Sequence, residues 1–467
     1  MADFRAFLEK YRQLKLNYFR FVQKNIVMHY VTTEELYTLY VNGSKVCTDT
    51  RQITPHSLFF ALKGAHFDGH CFVSQALEQG ASWVVIDNPD FQSDERYLLV
   101  ENVLTALQDL ATHHRRQLNI PVIGLTGSNG KTTSKELIRA VLAQKFTVYA
   151  TQGNLNNHIG VPLSILAIDA DVEMAVIEMG ANHQQEIAQL CAIAQPNYGL
   201  ITNIGKAHLD GFGGLDGVKR GKGELYDYLQ AHQGVAFVHY DSEHLRDMLG
   251  VYTLATVVSY GRQVTNDVCG MVFHEGARVG VEWFSDKFDV HPPVRVLSNL
   301  TGEYNFENML AAIAIGLYVG LSVAQINAGI AEYEPTNMRS QRVVTAKNII
   351  IADAYNANPS SMSVALDNML HMPDTHKVVI LGDMFELGEY AEVEHRKIIE
   401  IALSARFERA IFVGQQFYEL RLQYPKGIFW ENLAELKSYL TDFPVQQSLV
   451  LVKGSRGMKL ESIFELL

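Results

Sequence analysis

Gly127, Ser128, Asn129, Gly130, Lys131, Thr132 and Thr133 carry the clearest chemical signal in this sequence. They lie between an apolar run, Val122–Leu125, and a stretch in which Leu137, Ile138, Val141 and Leu142 recur at helical spacing. A strand therefore enters the loop and a helix leaves it. Glycines let successive backbone N–H groups turn toward one anion, and the helix N-terminus adds its positive end. In that frame Lys131 reaches the β- and γ-phosphates of a nucleotide, and Thr132 offers its hydroxyl to Mg²⁺. The strict phosphate-loop pattern has a glycine six residues before the lysine. Here Leu125 takes that place, between Gly124 and Gly127, so the loop is a variant. The plainer reading is a glycine turn that only caps a helix.

Three more residues have the right chemistry but say little alone. Glu178 follows the apolar run Ala175–Ile177 and so stands at a strand end, where a carboxylate suits Mg²⁺. His208 follows the next apolar run, and Lys222 sits in a Lys-Gly-Glu triplet. Taken singly, Glu178 and Lys222 read as surface residues and His208 as a structural histidine.

The elements that must hold these residues follow from the apolar rhythm. Runs at Val122–Leu125, Ala175–Ile177 and Gly199–Ile204 alternate with helical patterns, which predicts a parallel sheet covered on both faces. A second series, Ile349–Ala352, Val378–Leu381, Ala410–Val413 and Leu449–Val452, ends each time in a polar or glycine position. Ligands gather at such carboxyl ends in open α/β sheets. Ahead of both, Ser57–Leu62 and Ser82–Ile86 are β-like and Phe72–Glu78 is helical. The fold class is α/β in three domains, at 28–118, 119–335 and 336–467. The middle domain is expected to carry an irregular β-rich insertion between about 235 and 300. Residues 1–27 read as an amphipathic leader helix, or as a stretch ahead of a natural start at Met28, where a strand-like His-Tyr-Val-Thr-Thr-Glu-Glu-Leu-Tyr begins.

Composition sets the outer bounds. The chain has 467 residues, a formal net charge of −12 and an ordinary apolar content of 48%. No global basic field is present to attract nucleic acid. The cysteines, Cys47, Cys71, Cys191 and Cys269, form no C-x-x-C pair, which fits a reducing cytoplasm. No secretory leader pattern is visible at the N-terminus. Leu310–Ala331 is uncharged over a length close to a membrane span, but its glycines, and Ser322 as an N-cap, predict two short buried helices instead.

Taken together the candidates resemble the Mur ligases. The resemblance rests on the order and spacing of Thr-Gly-Ser-Asn-Gly-Lys-Thr-Thr, Glu178 to His183 (EMGANH), Asn203 to Gly213 (NIGKAHLDGFG) and the lysine of the KGE triplet. It covers nearly the whole chain from about residue 28, and the family uses the same variant loop. Gly153–Gly160 (GNLNNHIG), Asp353–Met362 (DAYNANPSSM), Gly382–Gly388 and Val452–Arg456 extend it. Within the family, the Asp353 segment is most like members that join D-alanyl-D-alanine to UDP-N-acetylmuramoyl-tripeptide.

This resemblance implies a small nucleotide-sugar-binding α/β domain, a central phosphate-loop ATPase domain and a C-terminal Rossmann-like domain. It implies ATP and Mg²⁺, with the peptide-bearing nucleotide sugar and the dipeptide as substrates, in a cytoplasmic and monomeric enzyme of peptidoglycan synthesis. Lys131 and Thr132 would hold phosphates and Mg²⁺. Glu178, His208 and a carbamylated Lys222 would serve the metal site. Asn305 and Asn308 match positions near adenine and ribose. Arg339 matches an arginine that reaches ATP from the third domain, with Arg342 the alternative on spacing, and Asp353 an acid near the nucleotide. Thr48, Asp49, Thr50, Arg51, Lys63, Asp68, Gly69 and His70 match the sugar-nucleotide domain, and Asn154, Asn156 and Asn157 the adjoining segment. Asn356, Asn358 and Ser360 are candidates for the dipeptide, though turn chemistry explains them equally well. The competing readings are a sibling ligase that adds the third residue, folylpolyglutamate synthase, or a non-catalytic nucleotide-binding protein.

Overall fold

The computed structural model describes residues 29–373 and 376–467, and the leader-helix expectation for residues 1–27 lies outside the described residues. The chain divides into two compact units, one ending at His114 and one running from Arg115 to Leu467.

The first unit is built on four parallel strands in sequence order: β1 (Val46–Cys47), β2 (Leu58–Phe60), β3 (Trp83–Ile86) and β4 (Tyr97–Leu99). The segment expected to open it as a strand is instead the helix Thr33–Val41. The reason is local. Thr32 and Glu35 form a reciprocal capping box, in which Thr32 Oγ1 accepts from Glu35 N and Glu35 Oε2 accepts from Thr32 N. Two orphan N–H groups are thereby satisfied, which outweighs the weak β preference of the threonine pair.

The second unit contains two sheets. The larger has nine strands: β5 (Val122–Thr126), β6 (Val148–Ala150), β7 (Met174–Glu178), β8 (Tyr198–Ile201), β9 (Val235–His239), β10 (Thr256–Gly261), β11 (Val268–Glu275), β12 (Arg278–Ser285) and β13 (Val290–Leu297). Their spatial order is β13-β12-β11-β10-β9-β8-β5-β7-β6. Strands β5 to β11 pair in parallel, and β12 and β13 add an antiparallel edge. Residues 235–300 are therefore not an irregular insertion but a regular extension of the same sheet. Alternate residues Val279, Val281 and Trp283 are fully buried in the core that also holds the helix Asn305–Tyr318. Burying that face ties the segment to the sheet, and strand pairing at this range is not visible in local pattern.

The uncharged stretch forms two helices, Asn305–Tyr318 and Val323–Glu332, the second capped by Ser322 and Gln325. No helix among the described residues is long and apolar enough to cross a membrane. Both helices pack on Lys131–Leu142, the helix that leaves the phosphate loop.

The smaller sheet comprises β14 (Gln341–Val344), β15 (Ile349–Asp353), β16 (Lys377–Gly382), β17 (Arg409–Val413), β18 (Ile428–Trp430) and β19 (Leu449–Lys453), ordered β14-β15-β19-β16-β17-β18. All pairs are parallel except the edge strand β14. Each face carries its own apolar layer. That leaves Asp353, Asp383 and Lys453 at the carboxyl ends.

Gly329 is where Val323–Glu332 meets the phosphate-loop helix, and a Cβ there would lie 2.5 Å from Val141 Cα and 2.7 Å from Ala140 O. Backbone cannot step aside as a side chain can. Gly329→Ala is expected to lower stability by about 1–3 kcal/mol through overpacking, read as a shifted urea midpoint with an unchanged slope.

Candidate active site

The phosphate loop owes its shape to two left-handed glycines. Gly130 caps the helix Lys131–Leu142 at φ 75°, and Gly127 has φ 144°. The neighbouring strand end braces the loop. Thr202 Oγ1 donates to Asn129 O at 2.6 Å, Asn129 N donates to Asn203 Oδ1 at 3.0 Å, and Ser128 Oγ donates to Gly205 O at 3.1 Å. Thr202 is absent from the sequence-derived candidates, and Asn203 figures there only as the start of a motif. An ordinary Thr-Asn pair gives no sign of bracing until β8 is placed beside β5. Lys131 Nζ donates to Gly127 O at 2.6 Å. Desolvation pushes its ammonium below the usual lysine value; Glu178 opposes this and the Arg339 charge adds to it.

Glu178 ends β7 and is 1% exposed. Its Oε2 accepts from Thr132 Oγ1 at 2.9 Å, and its Oε1 accepts from Asn156 Nδ2 at 2.8 Å. Lys135, also 1% exposed, brings its Nζ within 4.0 Å of Glu178 Oε2 and donates to Thr151 O at 2.5 Å. Lys135 escapes sequence reasoning because a helical lysine normally reads as solvated. Its signal is the three-residue offset from Thr132, which puts both on one helix face.

His208 and Lys222 lie differently. His208 lines the cavity, but its Nδ1 is 2.5 Å from Glu386 Oε2, a close contact reaching across to the loop after β16. Lys222 is buried behind the cavity wall, with its Nζ 3.2 Å from Ala181 O and 5.1 Å from the centroid of the Phe212 ring. Desolvation, helped by the Lys131 charge and opposed by Glu186 and Glu224, pushes its pKa down to about 7. Among the described residues no group of three His, Cys, Asp or Glu side chains could by itself hold a metal ion. Thr132 Oγ1 and the Glu178 carboxylate are hard oxygen donors. Such a pair suits Mg²⁺, which completes its shell with water and phosphate oxygens.

The smaller sheet closes the other side of the cavity, whose volume is about 770 Å³. Arg339 stacks its guanidinium 3.8 Å from the centroid of the Tyr355 ring, and its Nε is buried without a hydrogen-bond partner. Arg342, by contrast, is exposed on β14 and lies outside the cavity lining. Asp353 Oδ2 is 2.6 Å from Lys453 Nζ. Asn358 caps the helix Pro359–His371 and also donates from Nδ2 to Asn129 Oδ1 at 2.7 Å, tying that helix to the phosphate loop. Asn356 accepts from Ala357 N at 2.9 Å, which is turn chemistry. An ion pair from half-exposed Lys206 Nζ to buried Glu394 Oε1, at 2.9 Å, spans the same gap.

The remaining candidates divide by role. Asn308 Oδ1 accepts from Ser134 Oγ at 2.9 Å, and Asn305 Nδ2 donates to Thr301 O at 2.8 Å. Both line the cavity; Asn308 locks its helix to the phosphate-loop helix, while Asn305 ties the start of that helix to the turn before it. Asn154 and Asn157 line the cavity as well, and Asn157 Oδ1 also accepts from Gly160 N at 2.8 Å where the helix Gly160–Leu166 begins. In the first unit Asp49 accepts from Arg51 N at 3.0 Å, capping the short turn Thr50–Gln52 that follows Thr48. Arg51 is exposed beside it. Lys63 Nζ is 3.8 Å from Asp68, and Asp68 meets His70 Nδ1 at 2.6 Å. The His70 ring is buried and accepts from Asp87 N at 3.2 Å through Nε2, so it organises this loop. Gly69 is required there, since a Cβ would fall 2.5 Å from Leu62 O.

Comparison with known proteins places this architecture in one class. Three family models match in succession: "Mur ligase family, catalytic domain" over 44–115, "Mur ligase middle domain" over 125–316 and "Mur ligase, glutamate ligase domain" over 338–456. The chain belongs to the Mur ligase family. The UDP-N-acetylmuramoyl-tripeptide--D-alanyl-D-alanine ligase of Escherichia coli is 35% identical to it over 424 residues, 90% of this chain and 92% of that protein. A crystal structure of MurF from Acinetobacter baumannii superposes with a TM-score of 0.81 at 32% identity, covering 90% of this chain and 92% of that one. The MurF ligase of Thermotoga maritima, solved in complex with ADP, gives 0.79 at 25% identity over 92% and 97%.

A Cβ on Gly127 would fall 2.0 Å from Thr202 Oγ1 and 3.0 Å from Thr202 N, at a φ that side chains avoid. Gly127→Ala is expected to weaken ADP binding by about tenfold or more, as strain of about 1–3 kcal/mol is released by distorting the loop. Titration calorimetry with ADP checks this, and affinity equal to wild type would refute the requirement.

Proposed function

We propose that this chain is an ATP-dependent ligase that joins D-alanyl-D-alanine to UDP-N-acetylmuramoyl-tripeptide, yielding the UDP-linked pentapeptide for peptidoglycan, ADP and phosphate. The single observation that carries the reading is one cavity lined by Lys131, Thr132 and Glu178 from one side and by Arg339 and Asp353 from the other. Relatives that share about a third of its residues over nine-tenths of its length bear the name of that activity. A sibling ligase or folylpolyglutamate synthase is the nearest alternative, and such proteins resemble the chain only at 15–16% identity.

The chemistry follows from a poor electrophile. A carboxylate does not react with an amine in water, so its oxygen first attacks the γ-phosphorus of ATP and ADP leaves. The dipeptide amine then adds to the acyl phosphate carbon and loses its proton. The tetrahedral intermediate collapses with loss of phosphate. Charge neutralisation and positioning carry most of the acceleration in such transfers. In this reading Lys131 and Arg339 offset negative charge moving onto the bridging oxygen, with Asp353 an acid near the nucleotide. Asn305 and Asn308 would lie near the adenine and ribose. Thr132 and Glu178 would hold Mg²⁺, which when bound neutralises phosphate charge. The first domain expected from the sequence, 28–118, would receive the sugar nucleotide through Thr48–Arg51 and Lys63–His70. The reaction fits a monomer in the cytoplasm.

Lys222 takes the part of a carbamylated lysine. Its amine attacks CO₂ and releases one proton, leaving a carboxylate-like group in place of an ammonium. Burial supports this, because with a pKa near 7 the neutral, nucleophilic amine is abundant at neutral pH. His208 then belongs to the same metal neighbourhood once its contact with Glu386 is exchanged.

ADP release should rise with D-alanyl-D-alanine and not with lysine, diaminopimelate or glutamate; stimulation by one of the latter would transfer the chain to a sibling activity. ATP binding without turnover would point to a non-catalytic protein. Lys131→Ala should lose about a hundredfold or more of that turnover. Lys222→Ala should also be inactive and partly rescued by short-chain carboxylic acids. Wild-type activity after CO₂ removal below pH 7 should fall and return with bicarbonate at pH 8, whereas indifference to CO₂ would rule out the carbamate.

A further inference from the structure

Arg339 is held between two residues in an unfavourable conformation. Met338 and Ser340, neither of them glycine, both adopt left-handed backbone geometry, at φ 55° and 53°. Such residues persist only where their surroundings over-determine them. Met338 N is tied to Gln341 Oε1 at 3.1 Å. Ser340, which is 7% exposed, is tied at both ends. Its N–H donates to Asp353 Oδ1 at 3.2 Å, and its hydroxyl shares a short hydrogen bond with the Tyr304 hydroxyl.

Tyr304 comes from the other side of the cavity. It immediately precedes Asn305 and caps the helix Asn305–Tyr318. Space for its ring is made by Gly302, where a Cβ would lie 2.3 Å from Tyr304 Cε1 and where φ is 90°. Burial pushes the phenol well above its ordinary value, so its hydroxyl keeps its proton and remains a hydrogen-bond partner. The bond to Ser340 thus links the helix bearing Asn305 and Asn308 to the kink that carries Arg339, and through Asp353 to Lys453.

We propose that Tyr304 and Ser340 form a positioning latch: their bond across the cavity holds the left-handed kink and so aims Arg339 at the phosphates. This rests on the ATP-contacting part assigned to Arg339 above. A latch of this kind acts only when both sides of the cavity are together, which couples assembly of the site to the placement of its charge.

The test uses the full chain, with dipeptide-dependent ADP release and thermal melting. Tyr304→Phe, which keeps the ring, and Ser340→Ala are each expected to lower kcat/KM for ATP by roughly three- to tenfold, the range of one lost hydrogen bond. The KM for the tripeptide substrate and the melting temperature should stay at wild-type values, and the double variant should be no worse than either single one. In an Arg339→Ala background Tyr304→Phe should cost nothing further. The latch is overturned if Tyr304→Phe matches wild type, if its loss persists in full without Arg339, or if melting and both KM values shift together, which marks a merely structural bond. Should Arg339→Ala alone show wild-type ATP kinetics, the assignment of Arg339 falls first, and the latch with it.

Discussion

Glu178 places a carboxylate at 1% exposure on the end of a central strand. A buried charge without partners costs several kcal/mol, so its neighbours must answer it. Thr132 and Asn156 do so with hydrogen bonds, and Lys135 with an opposite charge 4.0 Å away. These partners come from separate stretches of chain: Thr132 and Lys135 from the helix after β5, and Asn156 from the segment after β6. Satisfying one carboxylate therefore fixes how the phosphate-loop helix sits on β7. The loop in turn is clamped by Thr202 and Asn203 from the exit of β8.

Assembly of the cavity extends that logic to the smaller sheet. Its contacts with the phosphate-loop side include several polar ones: Asn358 to Asn129, Lys206 to Glu394, His208 to Glu386, and Tyr304 to Ser340. Where such contacts meet solvent they are individually worth little and exchange readily for water, whereas the Tyr304 to Ser340 bond is shielded by the burial of Ser340. An interface made of them can separate and re-form, as a site that must admit substrates and then exclude water requires. The apolar layers, by contrast, stay within each sheet.

Much of the fold is legible in the order of the amino acids. Hydrophobic runs locate β5, β7, β8, β15, β16, β17 and β19 to within a residue or two at most ends, because buried parallel strands are short, apolar and bounded by turn residues. Ser322 announces its helix, since capping is a local hydrogen-bond pattern. The same local chemistry is masked at Thr32, where two threonines draw the reading toward a strand. Residues 235–300 mislead for a different reason: β9 to β12 pack against the helix Asn305–Tyr318 and β13 against Val323–Glu332, contacts that no local pattern reveals. Lys135, Thr202 and Tyr304 are hidden likewise, as each acts through a partner that only folding brings near.

The amino-acid sequence by itself determined the α/β class, the phosphate loop, the order of the acidic and basic site residues, and the family they resemble. These depend on spacing within a few residues or on motifs in series. Only the tertiary structure put Arg339 in the cavity lining and left Arg342 exposed, buried Lys222 behind the wall, and turned His208 toward Glu386. Those outcomes depend on desolvation and on charges from distant segments, and neither quantity exists until the chain has folded around them.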